Sequence, residues 1–388
     1  MNEPNFEFVC PECGAQVTES DSVCPQCRTT LEWDTGLSVA GKTEKPEEHV
    51  PDVGPMRLGD IFDWAFRLFG RTFTRSILVM LILFVPVSLL LIEGSREFYG
   101  TIGRIAQEGG GTSAQGLDEL AGMLRSFGLF GLALLLAFLA TLAGELAVTL
   151  LIRNEFARTS TTWREALGGA LSIRYLRALG VVLVQIIVVC GVVFGVVLIP
   201  VILVSIAGGG ALVVVLAFLI AFGCIVYFLI RWSLAFTVVA CEDRGIGASL
   251  GRSWALVAEK WWRTFGILLL MGVLVNFAIA LVVTPLSLIA FWDFYREYFK
   301  ALGTAGTGQP DPAMLGKAMS SIGPGVGLSM TLNFMLLTMT KPVYTTVVYV
   351  DLCARKRESE KASAGVPITH QSLQPDAQLP EGSSPHGV

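Results

Sequence analysis

The sequence predicts an all-α polytopic membrane protein: six transmembrane helices with cytoplasmic amphipathic helices, preceded by a small N-terminal zinc ribbon. Three observations carry this. The 388 residues are 53% hydrophobic and only 15% charged, with mean hydropathy +0.63, whereas a soluble domain averages about 25% charged residues. Several apolar runs reach about 18 residues or more, the length a helix needs to cross about 30 Å of hydrocarbon. Four cysteines near the start stand in two pairs of the form CPxC. The net charge of −4 gives no case for nucleic-acid binding.

The ribbon comes first in the chain. Residues 8–33 read FVCPECGAQVTESDSVCPQCRTTLEW. Each CPxC turn can aim two thiolates at one point, so Cys10, Cys13, Cys24 and Cys27 together complete a tetrahedral zinc site. Thiolate fills all four corners and leaves no position for water, which predicts a structural metal. So short a segment buries too little apolar surface to fold alone, and metal binding supplies its folding free energy. The alternative is a redox CxxC pair, which needs a strand–helix context that about 25 residues do not provide. The segment resembles the short zinc ribbons at the N-terminus of many bacterial membrane proteins, and that resemblance implies a non-catalytic module.

Residues 34–55 read as a linker, with Pro46, Pro51 and Pro55 among Glu44, Glu47, Glu48 and Asp52 and no apolar period. The membrane domain is expected over 56–357. Its six apolar segments are 73–92, 127–152, 179–206, 211–230, 265–291 and 326–350. Ala207-Gly208-Gly209-Gly210 makes a tight hairpin of the third and fourth. Pro86, Pro200, Pro285 and Pro342 are expected to kink or end their helices. The chain opens MNEPNFEF, with neither a basic start nor an apolar core, so the first span is expected to direct insertion itself. Residues 358–388 are rich in Ser, Pro, Gly and Gln and predict a disordered tail.

Three stretches begin amphipathic and pass into an apolar run: LGDIFDWAFRLFGRTFTRSILVM (58–80), TWREALGGALSIRYLRALGVVLV (162–184) and ASLGRSWALVAEKWWRTFGILLL (248–270). In the first, Leu58, Ile61, Phe62, Ala65, Phe69 and Phe73 recur at helical spacing, and Asp60, Asp63, Arg67 and Arg71 line the opposite face. Trp64, Trp254, Trp261 and Trp262 suit the headgroup layer. An ordinary surface helix of a soluble domain has the same pattern, but the apolar run that follows each stretch favours the membrane. The stretches align at Arg71, Arg177 and Arg263, which suggests threefold duplication of a surface helix plus hairpin.

Orientation follows from the loops. Arg57, Arg67, Arg71 and Arg75 precede the first span. Arg153, Arg158, Arg164, Arg174 and Arg177 fall between the second and third, and Arg231, Arg244, Arg252, Lys260 and Arg263 between the fourth and fifth. Arg355, Lys356 and Arg357 follow the sixth. The first–second loop is instead acidic, with Glu93, Glu97, Glu108, Asp118 and Glu119, and the fifth–sixth loop is weakly charged. Every basic loop lies on one side if both termini are cytoplasmic. That placement also keeps the ribbon thiols reduced.

The polar inventory disfavours a hydrolase. His49, His370 and His386 all fall in the linker or tail, and there is no GxxxxGK[ST] or GxSxG motif. Cys190 and Cys224 read as small apolar residues, and Gln185, Asn276 and Asn333 as hydrogen-bond partners between helices. The stretch RSWALVAEKWWRTFGILLL (252–270) resembles the Arg-Ser-Trp, Trp-Arg, apolar-run signature of the membrane domain of glycerophosphoryl diester phosphodiesterases. KPVYTTVVYVDLCARKR (341–357) is similar to that family's ending through Pro342, Tyr349, Asp351, Leu352, Arg355 and Lys356. Val350 and Cys353 depart from it. LGDIFDWAFRLFGRTF resembles its opening. The resemblance implies a six-helix membrane architecture. That family's catalytic barrel and His-Arg-Gly-type motif have no counterpart here, so it does not imply phosphodiesterase activity.

Two charges fall inside spans. Glu145 precedes Arg153 by eight residues, about 12 Å of helix, and Lys341 precedes Asp351 by ten, about 15 Å. Their similar depth admits a polar site between the second and sixth spans. It also admits two side chains snorkelling separately to the headgroups. The expected function is therefore a non-enzymatic inner-membrane scaffold or accessory protein, docking a protein partner through the ribbon. The rival is a transporter or lipid-handling protein with its path near Glu145 and Lys341.

Overall fold

The computed structural model describes residues 8–9, 16–17, 54–108, 116–157, 159–198, 201–202, 211–304 and 312–363. The chain divides into two units, Met1–His49 and Val50–Val388. In the first, β1 (Phe8–Val9) and β2 (Gln16–Val17) pair antiparallel, with Phe8 opposite Val17 and Val9 opposite Gln16. Cys10, Cys13, Cys24 and Cys27 lie outside the described residues, as do the three histidines, Pro200, and the tail beyond Ser363.

In the second unit the described elements are helices: α1 (Leu58–Glu108), α2 (Gly116–Phe156), α3 (Trp163–Ala170) and α4 (Ile173–Val192), then a π-helical turn (Val193–Leu198), α5 (Ala211–Arg231), α6 (Ala235–Glu242), α7 (Ile246–Ala258), α8 (Trp261–Ala290), α9 (Trp292–Thr304), α10 (Pro312–Ser321) and α11 (Gly323–Ser363). Among the described residues six stretches are long and apolar enough to cross a membrane: Leu58–Ile105, Leu120–Phe156, Ile173–Val196, Val214–Glu242, Trp261–Ala290 and Gly316–Ser363. They coincide with the six apolar segments.

Helix extends well past those segments. α1 has 51 residues, about 77 Å at 1.5 Å per residue, more than twice the hydrocarbon thickness. Its amphipathic start flows into the span because the 3.6-residue period continues unbroken. The second and third stretches do break. Thr162 caps α3 in a capping box with Glu165, the chain turns at Leu171-Ser172, and Ser172 starts α4. A second turn at Glu259-Lys260 separates α7 from α8. Pro86, Pro285 and Pro342 all lie inside continuous helices, so the expected terminations do not occur there. Nearby hydroxyls bond helix carbonyls, Ser88 to Val85 at 2.7 Å and Thr345 to Lys341 at 3.0 Å. α9 and α10 occupy much of the expected fifth–sixth loop, joined where Glu297 on α9 meets Lys317 on α10 at 3.3 Å; Lys300, one turn further along α9, meets the same carboxylate at 3.1 Å.

The core lies between α1, α2 and α11, where Val79, Met80, Phe84, Leu146, Val347 and Tyr349 are buried. Two glycines set the spacing. A Cβ at Gly327 would sit 2.6 Å from Ile92 Cα, and one at Gly144 would sit 2.7 Å from Thr338 Cγ2. Only hydrogen fits at either position, which lets α11 approach both neighbours closely. α8 packs against α11 on another side. The third and fourth spans differ: 6% and 11% of their most apolar windows are buried, against 33% for the first, second and sixth. Leu183, Ile187, Phe194, Leu212, Leu219 and Phe222 stand exposed on them, the pattern expected of helices solvated by lipid.

Candidate functional site

Polar side chains gather where the first, third and fifth apolar runs begin and where the second, fourth and sixth end. The three aligned arginines lead there. Arg71 and Arg75 on α1 face Glu155 near the end of α2, at 3.6 and 3.5 Å. Arg177 on α4 meets Asp243, just after α6, at 2.7 Å, with Arg174 at 3.3 Å. Arg263 on α8 meets Asp351 on α11 at 3.2 Å. Each of the three aligned arginines thus clamps the start of one apolar run to a carboxylate closing the next.

The third clamp is the most buried. Asp351 is fully enclosed and accepts from Met56 N at 2.8 Å, Arg263 Nη2 at 3.2 Å and Arg355 Nε at 3.0 Å. Arg263 and Arg355 also donate to the Met56 carbonyl, at 2.9 and 2.7 Å. One carboxylate therefore ties the chain before α1 to α8 and α11. Asp243 caps α6 with φ 52°, a left-handed conformation costing a non-glycine residue about 1 kcal/mol. Arg177 holds it through both its carboxylate and its carbonyl, the latter at 2.8 Å.

Further contacts join the clamps. Glu242, almost enclosed on α6, accepts from Tyr349 Oη at 2.5 Å and Arg252 Nε at 3.1 Å and pairs with Arg244. Arg153 donates to the Ala240 carbonyl at 3.3 Å. The polar chain closes on itself, from α1 through α2, α6, α11 and α8 back to Met56 before α1.

The Glu145 and Lys341 side chains meet. Lys341 Nζ lies 2.8 and 3.1 Å from the two Glu145 oxygens. The lone-snorkelling alternative does not describe this geometry. The pair forms where Gly144 brings α11 close to α2. Its two ends differ, since the Glu145 side chain is 8% exposed and that of Lys341 43%. Of the other polar residues singled out in the sequence, Gln185 bonds outside its own helix, to the Trp232 carbonyl at 3.2 Å. Asn276 and Asn333 instead bond carbonyls one turn back in their own helices, a competing partner always within reach of a short amide. Cys190 is exposed and Cys224 partly so. Among the described residues no group of three or more His, Cys, Asp or Glu is placed to hold a metal.

Sequence reasoning found Arg71, Arg177 and Arg263 but not the clamping role of Glu155, Asp243 and Asp351. The available signal was an acid just past every second apolar run. Hydrogen bonds from Lys300 and Lys317 hold the Glu297 carboxyl below the ordinary glutamate range, a feature the loop's composition did not suggest.

The model of a domain of unknown function (DUF7847) matches residues 120–352, from α2 into α11. No curated protein and no solved structure matches the chain.

Proposed function

The chain belongs to the DUF7847 family, and from that premise we propose a multi-pass inner-membrane scaffold or accessory protein that docks a partner through a cytoplasmic zinc ribbon. The closed polar chain carries this reading. It ties the starts and ends of the spans by buried or half-buried pairs, so opening that end would break several at once. Such a construction suits a rigid platform better than a moving gate. Glu145 and Lys341 neutralise each other in the same spirit: neither is left free to take a proton or an ion without stranding the other.

The ribbon is the platform's docking module in this proposal. β1 and β2 flank the segment carrying Cys10 and Cys13 in sequence, which fits a knuckle between two short strands. Cys24 and Cys27 would supply the other two thiolates, and the metal's task would be to hold the fold. The basic ends of the helices, and both termini with them, lie in the cytoplasm by the positive-inside bias. The likeness to the phosphodiesterase membrane domain enters as an architecture only.

The test is proximity labelling in intact cells from the full chain, compared with Cys24→Ser, which unfolds the ribbon and leaves the spans. The proposal expects a discrete set of neighbours lost in the variant at equal membrane abundance. An unchanged set would refute it. One observation favours the rival, lipid-handling reading: the Lys341 side chain is 43% exposed against 8% for Glu145, so the pair is less enclosed on the lysine side. A transport or lipid-transfer activity abolished by Glu145→Gln, with the fold intact, would replace the scaffold with that reading.

A further inference from the structure

A groove of about 670 Å³ runs between α5 and the α7–α8 turn, lined by Gly223, Tyr227, Arg231, Lys260, Trp261 and Arg263 among others. Its composition changes along its length. From Gly223 to Tyr227 it follows the apolar surface of α5, beside the exposed ring of Phe222. At the Arg231 end, about 12 Å further along the helix, it becomes cationic. Arg231 and Lys260 gather there with Arg263, whose charge is already engaged by Asp351, against one lining acid, Glu259.

Several donors at this end lack partners. Among the described residues no carboxylate lies within ion-pair distance of Arg231 or Lys260. Arg231 is held in place without being neutralised: it donates to Tyr227 Oη at 3.2 Å and the Trp254 carbonyl at 3.3 Å, and its guanidinium lies 4.6 Å from the Trp254 ring centroid. Trp261 Nε1 and Arg263 Nε are buried and unpaired. α8 begins at this spot with no side-chain cap, so the first-turn amides of a 30-residue helix face the same place. The outer wall is aromatic. Trp261 stacks on Phe265 with ring centroids 5.4 Å apart, and Trp262 is 77% exposed, a composition that favours the membrane–water boundary.

We propose that this groove binds the phosphate-bearing headgroup of an anionic lipid. The phosphate would sit among Arg231, Lys260 and the start of α8, satisfying the unpaired Trp261 and Arg263 donors. The acyl chains would follow the apolar wall toward Gly223. The charge excess selects an anionic over a zwitterionic headgroup, and the apolar continuation selects a lipid over a free anion. The site goes beyond the scaffold proposal and stands whether or not the ribbon docks a protein.

The test is native mass spectrometry of the detergent-purified full chain with phosphatidylglycerol or phosphatidylcholine, with and without millimolar inorganic phosphate. Wild type should retain phosphatidylglycerol in preference to phosphatidylcholine and keep it in the presence of phosphate. Arg231→Gln with Lys260→Gln should reduce the preference by at least about tenfold, since losing even one charge-assisted contact accounts for about that much. Lys260→Gln alone should remove part of it. Among the described residues the Lys260 side chain makes no hydrogen bond, and the carbonyl that accepts from Thr264 is kept, so this change guards against a folding artefact. Trp261→Phe, which keeps the ring and removes the N–H, should weaken retention. Arg164→Gln, a cation over Trp163 outside the groove, should change nothing. An undiminished preference in the double variant overturns the site, and displacement by inorganic phosphate overturns the lipid assignment.

Discussion

The three Arg–carboxylate clamps each join an aligned arginine to an acid past the following apolar run but differ in burial, so they should differ in energetic weight. Asp351→Asn is the sharpest perturbation. It keeps the side chain's shape while removing the charge that faces Arg263 and Arg355. The Asp351 side chain is 1% exposed and its two arginines 30% and 27%. Removing one partner of a buried pair typically costs about 3–5 kcal/mol. Both guanidiniums still reach solvent, so the lower end applies, about 3 kcal/mol. Arg71→Gln is the contrast. Arg71 is 47% exposed and stands 3.6 Å from Glu155, so its loss should cost about 0–1 kcal/mol. Arg177→Gln, with Arg177 31% exposed and Asp243 47%, should fall near 1 kcal/mol. Equilibrium unfolding of the detergent-purified protein in a denaturing-surfactant titration reads all three. A cost for Asp351→Asn within about 0.5 kcal/mol of zero, or equal costs for all three, would refute the idea that burial grades the clamps.

Three further outcomes follow from the same geometry. Glu145→Gln and Lys341→Met should each destabilise, and the double variant should recover much of the loss; additivity within about 0.5 kcal/mol would mean the contact contributes nothing. The N-terminal ribbon should bind one zinc per chain through Cys10, Cys13, Cys24 and Cys27 and lose its fold on chelation; metal analysis without zinc, or indifference to chelator, would remove the metal from the account. Glu297 has its folded pKa lowered, first by Lys300 and then by Lys317. Its stabilisation is therefore complete above the ordinary glutamate range and lost as pH falls through the folded pKa. Spin labels on α9 and α10 should show distances that broaden between about pH 7 and about pH 3. The same acid broadening in Glu297→Gln would assign the effect to another group.

The spans were legible in the sequence because burial in hydrocarbon imposes long apolar runs that nothing else in a polypeptide produces. The meeting of Glu145 and Lys341 was legible as a possibility, since similar depth follows from counting along two helices, but contact also needs the right rotation. That rotation came from Gly144, whose missing side chain is a packing fact visible only once Thr338 stands opposite it. The helical lengths of α1 and α11 were underestimated because the polar flanks carry no breaker strong enough to end a helix already nucleated by its span. The clamping acids escaped notice because a carboxylate just past an apolar run looks like any solvated helix end. Only the fold puts Glu155, Asp243 and Asp351 against arginines that lie more than sixty residues away in the chain.

A six-span protein with these loops should turn its clamped, basic end to the cytoplasm. Reporter fusions after Arg357, within residues 160–177 and within residues 109–116 read this orientation. The expected result is cytoplasmic signal at the first two positions and far-side signal at the third. Opposite sides for the first two, or a shared side for all three, would contradict it.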